Sequence, residues 1–226
     1  GEMMGKKRVS IITLANDFGK SLEAGFKEKA AEFGIEILGE YDYSIKDREF
    51  GPIVSKVKAE APDAIYASGY FFTAGPLVSQ LRAAGVDVPV IGQEGYDGEM
   101  FIKIAGAAAE GVIITTSLDR DSTEPLAQAF IQGFQKKSGY PADMVSASTH
   151  TAVLVLAEAM KRVDPSDKAA LREAIASTSI NAATGKISFN KLGEVRKSVQ
   201  VQVVRDGGWH HFAVISDPVL LAPPEE

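Results

Sequence analysis

Three short segments bring together the side chains best suited to holding a ligand. They are Asn16-Asp17-Phe18-Gly19, Gly69-Tyr70-Phe71-Phe72-Thr73 and Gln93-Glu94-Gly95-Tyr96-Asp97. Aromatic rings supply an apolar wall, and both ring faces and carboxylates attract a cation. Together they suit a small ligand with an apolar body and a cationic group. One aromatic loop is explained equally well by local packing. Three on one edge of a sheet favour a pocket.

Other chemistries find little support. No strand is followed by G-x-G-x-x-G or by G-x-x-x-x-G-K-S/T, so nucleotide binding lacks its phosphate turn. No G-x-S-x-G elbow occurs. The histidines are His150, in a helical stretch, and the adjacent His210 and His211, in a closing hairpin. Neither arrangement makes a catalytic constellation. Asp119, Asp121 and Glu124 cluster but lack the glycine-punctuated spacing of a calcium loop, and they read as a solvated hinge before a helix. With no cysteine, disulfides, thiolate metal sites and thiol nucleophiles are excluded. The expectation is a non-enzyme without metal or cofactor. Lys and Arg total 24 against 30 Asp and Glu, a net charge of −6, which argues against nucleic acid as a partner. No run approaches the roughly 18–20 apolar residues of a membrane span. The start, Gly1-Glu2-Met3-Met4-Gly5-Lys6-Lys7, lacks the apolar core of a signal peptide.

The elements that would position the three segments alternate. Arg8 to Ala15 reads as a buried strand. Leu22, Phe26, Ala30 and Phe33 form a helical stripe stopped by Gly34. Ile35 to Tyr43 is a second strand, and Ile53, Val54 and Val57 mark a helix after Pro52. A third strand covers Ala64 to Ser68, and Leu77, Val78 and Leu81 mark a helix ending at Gly85. A fourth strand covers Val88 to Ile91, a short helix Met100 to Ile104, and a fifth strand Val112 to Thr116. This β-α alternation implies an α/β fold with a parallel sheet covered on both faces. Each candidate segment then follows a strand, at the edge where open parallel sheets bind ligands.

Beyond Asp119 the pattern changes to three helices, followed by a strand at Lys186 to Phe189. Asp206-Gly207-Gly208 signals a hairpin between Val199–Val203 and Trp209–Ile215. The Pro-rich end is expected to fray. The helix from Met144 to Val163 carries Ala152-Val153-Leu154-Val155-Leu156-Ala157, which is apolar all round and calls for burial on several sides. Few strands in 123–190 are available to cover it. At roughly 150 residues per domain, 226 residues make one and a half.

The order of these segments resembles the second lobe of periplasmic binding proteins of the leucine/isoleucine/valine type. The strand and turn up to Phe33, Pro62-Asp63-Ala64-Ile65-Tyr66-Ala67-Ser68-Gly69-Tyr70, Leu81 to Val86, Ile91-Gly92-Gln93-Glu94-Gly95 and Ala109-Glu110-Gly111-Val112 carry the likeness. Phe130 to Tyr140, Thr151 to Met160 and Thr184 to Phe189 continue it, from about Lys7 to Ile215. No single motif is decisive; order and spacing are.

The resemblance implies a type I periplasmic binding fold, two α/β lobes closing on a solute for an ABC transporter permease. It implies a periplasmic or extracytoplasmic location. Phe18 and Tyr70 match aromatic positions, and Glu94 matches the acid that receives an amino acid's ammonium group. Phe18 in place of a tyrosine keeps the apolar wall and loses a hydroxyl. Asp17 and Tyr96, from the same loops, complete the candidate set. The likeness also implies a missing N-terminal lobe portion, which would supply carboxylate donors and cover the apolar helix. The organisation expected is then one complete doubly wound parallel-sheet lobe, residues 6–118 with 198–215, an incomplete helical second lobe, 123–190, and a tail, 216–226. On its own the chain should bind amino acids weakly, and 123–190 should seek the missing lobe or a swapped copy. A ligand-sensing domain of a receptor or regulator of the same fold is the alternative.

Overall fold

The computed structural model describes residues 1–218, 220 and 221, so part of the expected tail, Val219 and Ala222 to Glu226, lies outside the described residues. The chain divides into two compact units. The first comprises Gly1–Thr115 with Val203–Trp209, and the second comprises Thr116–Gln202 with the residues from His210 onward.

The first unit is built from β1 (Arg8–Leu14), α1 (Asp17–Glu32), β2 (Glu36–Tyr43), α2 (Gly51–Glu60), β3 (Ala64–Ala67), α3 (Phe71–Ala83), β4 (Val90–Gly92), α4 (Glu99–Ala105) and β5 (Ile113–Thr116). β4 begins two residues later than the hydropathy suggests. Pro89 cannot donate to the ladder, so it serves only through its carbonyl, which accepts from Ile65 at 2.9 Å. The pairs β1–β2, β1–β3, β3–β4 and β4–β5 are all parallel. The strand order β2-β1-β3-β4-β5 reverses direction between β1 and β3. That reversal is the switch point where open α/β sheets hold ligands.

Side-chain alternation along the strands gives the sheet two apolar faces. Ile12, Leu14, Ile65, Ala67 and Ile114 pack with Val54 and Val57 of α2, Leu77, Val78 and Leu81 of α3, and Phe101 of α4. Val9, Ile11, Ala64 and Tyr66 face the other way, against Leu22 and Phe26 of α1. The doubly wound sheet expected from the alternation is present.

After the helices of the second unit, the chain returns as β9 (Val199–Arg205) and β10 (Gly208–Ile215), which extend the sheet beyond β5. Asp206 and Gly207 both have positive φ, 50° and 73°, as a two-residue hairpin turn requires. The tip of this hairpin is fastened to the first unit. Trp209 Nε1 donates to the Gly98 carbonyl at 3.1 Å, and the Gly207 N–H donates to Glu110 Oε1 at 2.8 Å. The residues flanking the tip, Gln202, His210 and His211, bond instead to Asp119 and Asp121. This explains why only Val203–Trp209 groups with the first unit.

The second unit holds α5 (Pro125–Ser138), α6 (Met144–Met160), α7 (Lys168–Ala176), β6 (Ile180–Ala182), β7 (Gly185–Phe189) and β8 (Val195–Arg196). Asp143 caps α6 by accepting from the Ser146 N–H at 2.7 Å, and Asp167 caps α7 through the Ala169 and Ala170 N–H groups. β6, β7 and β8 form a small antiparallel sheet, of which the hydropathy pattern showed only the middle strand. The burial expected all round α6 is not achieved. Only Ala147, Thr151, Val155 and Ala159, spaced by four, are buried. Val153 is 59% exposed, Leu156 42% and Met160 42%. Thr151, Val155 and Leu156 line a cleft of about 360 Å³ with Ile187, Phe189 and Val195. A three-stranded sheet is too small to enclose a helix this apolar.

Substituting single positions on α6 separates its two faces. Val155→Asp places an unpaired charge in a buried stripe and should cost about 3–5 kcal/mol. Val153→Asp, one turn-face away, should stay within about 1 kcal/mol. Urea unfolding of the two variants compares them; similar losses would show that the outer face is covered.

Candidate functional site

The loops after β1, β3 and β4 meet at the carboxyl edge of the first unit's sheet. Asn16 caps α1, its Oδ1 accepting from the Gly19 N–H at 2.8 Å, which turns Asp17 and Phe18 into the first helical turn. Tyr70 caps α3. Its N–H donates to Thr73 Oγ1 at 3.3 Å, and its carbonyl accepts from the Thr73 N–H at 2.9 Å. Gln93 precedes a short 3-10 turn, Glu94–Tyr96, and its Oε1 accepts from the Gly95 N–H at 2.6 Å.

Buried hydrogen bonds bind the loops to one another. Tyr43, at the end of β2, donates to the Ser68 carbonyl at 2.8 Å and meets Thr73 Oγ1 at 3.1 Å. Burial pushes the Tyr43 hydroxyl up to about 12, so it stays protonated at any physiological pH. Ser68 Oγ accepts from the Leu14 N–H at 3.2 Å, and Gln93 Nε2 donates to the Gly69 carbonyl at 2.9 Å. Two glycines permit this closeness. A Cβ at Gly69, whose φ is 154°, would stand 1.9 Å from the Tyr43 oxygen, and one at Gly95 would stand 2.1 Å from the Gly69 carbonyl. None of Tyr43, Ser68, Thr73 or Gln93 was among the expected site residues. The available signal was their place, polar side chains at or just beyond strand ends that are otherwise apolar.

Phe18 and Tyr70 are brought together. Their rings stack at 5.2 Å and 9°, and Tyr70 stacks in turn on Phe72 at 5.7 Å. The Arg48 guanidinium lies 5.4 Å from the Phe72 ring centre. Phe18 and Tyr70 are half-buried, so part of this wall faces solvent. Glu94 is exposed; its carbonyl accepts from the Asp97 N–H at 3.0 Å, but its carboxylate makes no hydrogen bond or ion pair with any described residue. It stands near enough to Tyr66 that its charge, after burial, helps push that hydroxyl up to about 12. Asp17 is exposed in the first turn of α1, where its charge also suits the helix N-terminus.

Tyr96 departs from the expected set. Its ring is fully buried, stacked on Phe101 at 5.3 Å and packed beneath Gly92. It presents nothing to a ligand at the edge. The 3-10 turn rotates it inward, so that Glu94 faces out and Tyr96 fills the core. Elsewhere, no group of three metal-ligating side chains occurs among the described residues, and His150 lies tilted against Phe130 at 5.0 Å and 35°.

The chain was compared with known proteins. The family model described as periplasmic binding protein matches residues 2–208. A leucine-, isoleucine-, valine-, threonine- and alanine-binding protein of Pseudomonas aeruginosa is 24% identical over 190 residues, 84% of this chain and 51% of that protein. A Leu/Ile/Val-binding protein homolog of Brucella melitensis is 28% identical over 85% of this chain and 52% of its own length. Among solved structures, a leucine binding protein of Thermotoga maritima superposes with a TM-score of 0.90 at 28% identity, covering 96% of this chain and 63% of that one. This chain spans about half the length of the curated relatives it matches. These relatives are named for what they bind and not for a reaction. With a doubly wound sheet, a loop edge at its switch point and a family match over residues 2–208, the chain belongs to the periplasmic binding protein family.

Proposed function

We propose that this chain supplies one ligand-facing edge of a receptor for amino acids with apolar side chains, the solute-binding part of an ABC transporter. The observation that carries this reading is Glu94. It is an exposed carboxylate with no partner among the described residues, on a loop locked against the one that bears the Phe18–Tyr70 stack. A carboxylate held ready for a cation, beside an apolar wall, matches an ammonium group carried next to a hydrocarbon side chain. The names of the relatives, which bind leucine, isoleucine and valine, support the same ligand class.

The first unit would be the lobe that receives the ammonium and side chain. The ligand carboxylate then needs donors from elsewhere, either polypeptide outside these 226 residues or a second copy of the chain. The open face of α6 is where a further sheet would pack, and the half-length match to the relatives supports that arrangement. A permease would be the membrane partner, and the family's name supports an extracytoplasmic setting.

Amide NMR of the 226-residue chain, titrated with leucine and in parallel with N-acetylleucine, tests this. Leucine should shift the amides of Gly19, Gly69 and Gly95 with a Kd of about 1 mM or weaker, since one edge alone meets only part of the ligand. N-acetylleucine, without an ammonium, should not. Glu94→Gln should weaken leucine at least about tenfold. Unchanged affinity in that variant rejects the role of Glu94, and micromolar binding by the chain alone rejects the single-edge contact.

The glycine joint gives a second test. Gly69→Ala forces a Cβ into the Tyr43 hydroxyl and should lower stability by about 2–4 kcal/mol in urea unfolding. Leucine shifts should also vanish at Gly95. A stable variant that keeps both would show that the loops are not locked through Gly69.

A further inference from the structure

The chain passes between its two units at residues 115/116, 202/203 and 209/210. Just inside the second unit at these crossings lies a cluster of two histidines and two aspartates. His211 Nδ1 is 2.7 Å from Asp119 Oδ2, and His210 Nδ1 is 3.1 Å from Asp121 Oδ2. The His211 N–H donates to Asp121 Oδ2 at 2.9 Å. Asp119 Oδ1 accepts from Gln202 Nε2 at 3.1 Å and from the Asp121 N–H at 3.0 Å, and Arg120 donates to Gln202 Oε1 at 2.7 Å. One connected set of bonds thus reaches the segment after β5, the middle of β9 and the start of β10.

We propose that this cluster is a pH-sensitive clasp on the three crossing segments, tight when the imidazoles are protonated and looser when they are neutral. The chemistry follows from the atoms that meet. An ionised carboxylate only accepts, so each ring donates through Nδ1 in either charge state. A neutral imidazole keeps that hydrogen bond to the ionised carboxylate, and a charged one adds the attraction of opposite charges to it. The carboxylates that meet the rings are Asp119 and Asp121 from the segment after β5, where the neighbouring cation Arg120 donates to the neutral Gln202 of β9. The Asp119 side chain is only 14% exposed, so its pairing with His211 is partly shielded from water, and that of His210 with Asp121 is open.

Burial draws the Asp121 carboxyl upward, but the His211 N–H and the His210 ring outweigh it and hold it below its usual range. This carboxylate therefore stays charged at every pH where histidine ordinarily exchanges its proton. Histidine side chains ordinarily exchange a proton near pH 6.5, within a window of about pH 5 to 8. The extra attraction is present at the acid end of that window and is lost as pH rises.

The test is a double-mutant cycle on the 226-residue chain with Asp119→Asn and His211→Gln, measured by urea unfolding at pH 5.5 and pH 8.5. The coupling should be at least about fivefold in the folding constant at pH 5.5 and fall below about twofold at pH 8.5. Equal coupling at both pH values, the mark of a purely structural bond, overturns the proposal, as does its absence at both. Should a variant fail to fold, the unaltered chain still decides the matter. Exchange of the His211 amide, corrected for its intrinsic pH dependence, should be at least about threefold slower at pH 5.5 than at pH 8.5. An unchanged protection factor counts against the clasp.

Discussion

The candidate site depends on the buried hydroxyl of Tyr43. It sits where β2 ends, yet it holds the end of β3 through the Ser68 carbonyl and the start of α3 through Thr73. Ser68 passes the constraint to the end of β1, and Gln93 brings in the end of β4. Four strand ends are thus fixed by a few bonds in a low-dielectric interior, where a lost partner is costly. Phe18, Tyr70 and Glu94 are surface groups mounted on this frame. Their positions are set by the hydrogen bonds of the frame itself.

Much of the first unit was legible because local and global signals agree there. Alternating apolar strands and striped helices gave the βα order, and the rule that ligands sit beyond strand ends gave the three loops. The same pattern could not show the strand order, because pairing joins residues far apart in sequence. Nor could it show the inward turn of Tyr96. In a 3-10 turn one residue decides which side chain faces the core, and Tyr96 and Glu94 are only two positions apart. The hydrogen-bonding roles of Tyr43 and Gln93 were hidden for the same reason, since each acts on a loop 24 to 30 residues away.

The second unit shows the limit of periodicity in another way. A helix apolar on all sides demands cover, and the sequence carried that demand without its source. The described residues provide only β6, β7 and β8, and Val153, Leu156 and Met160 stay exposed. An apolar surface of this kind marks a place of contact. Asp119 and Asp121, which look in sequence like a poor metal loop, prove to be the acids that meet His210 and His211 across about 90 residues.

On the proposed reading, an amino acid's ammonium group is received by Glu94 with its side chain against Phe18 and Tyr70. A crystal structure of the chain grown with saturating leucine tests it most directly. Leucine should then lie at the edge of the first unit, its nitrogen within about 3.2 Å of a Glu94 carboxylate oxygen and its methyl groups on the Phe18 or Tyr70 ring. Leucine bound only elsewhere, for example in the apolar cleft beside α6, with Glu94 untouched, would contradict it.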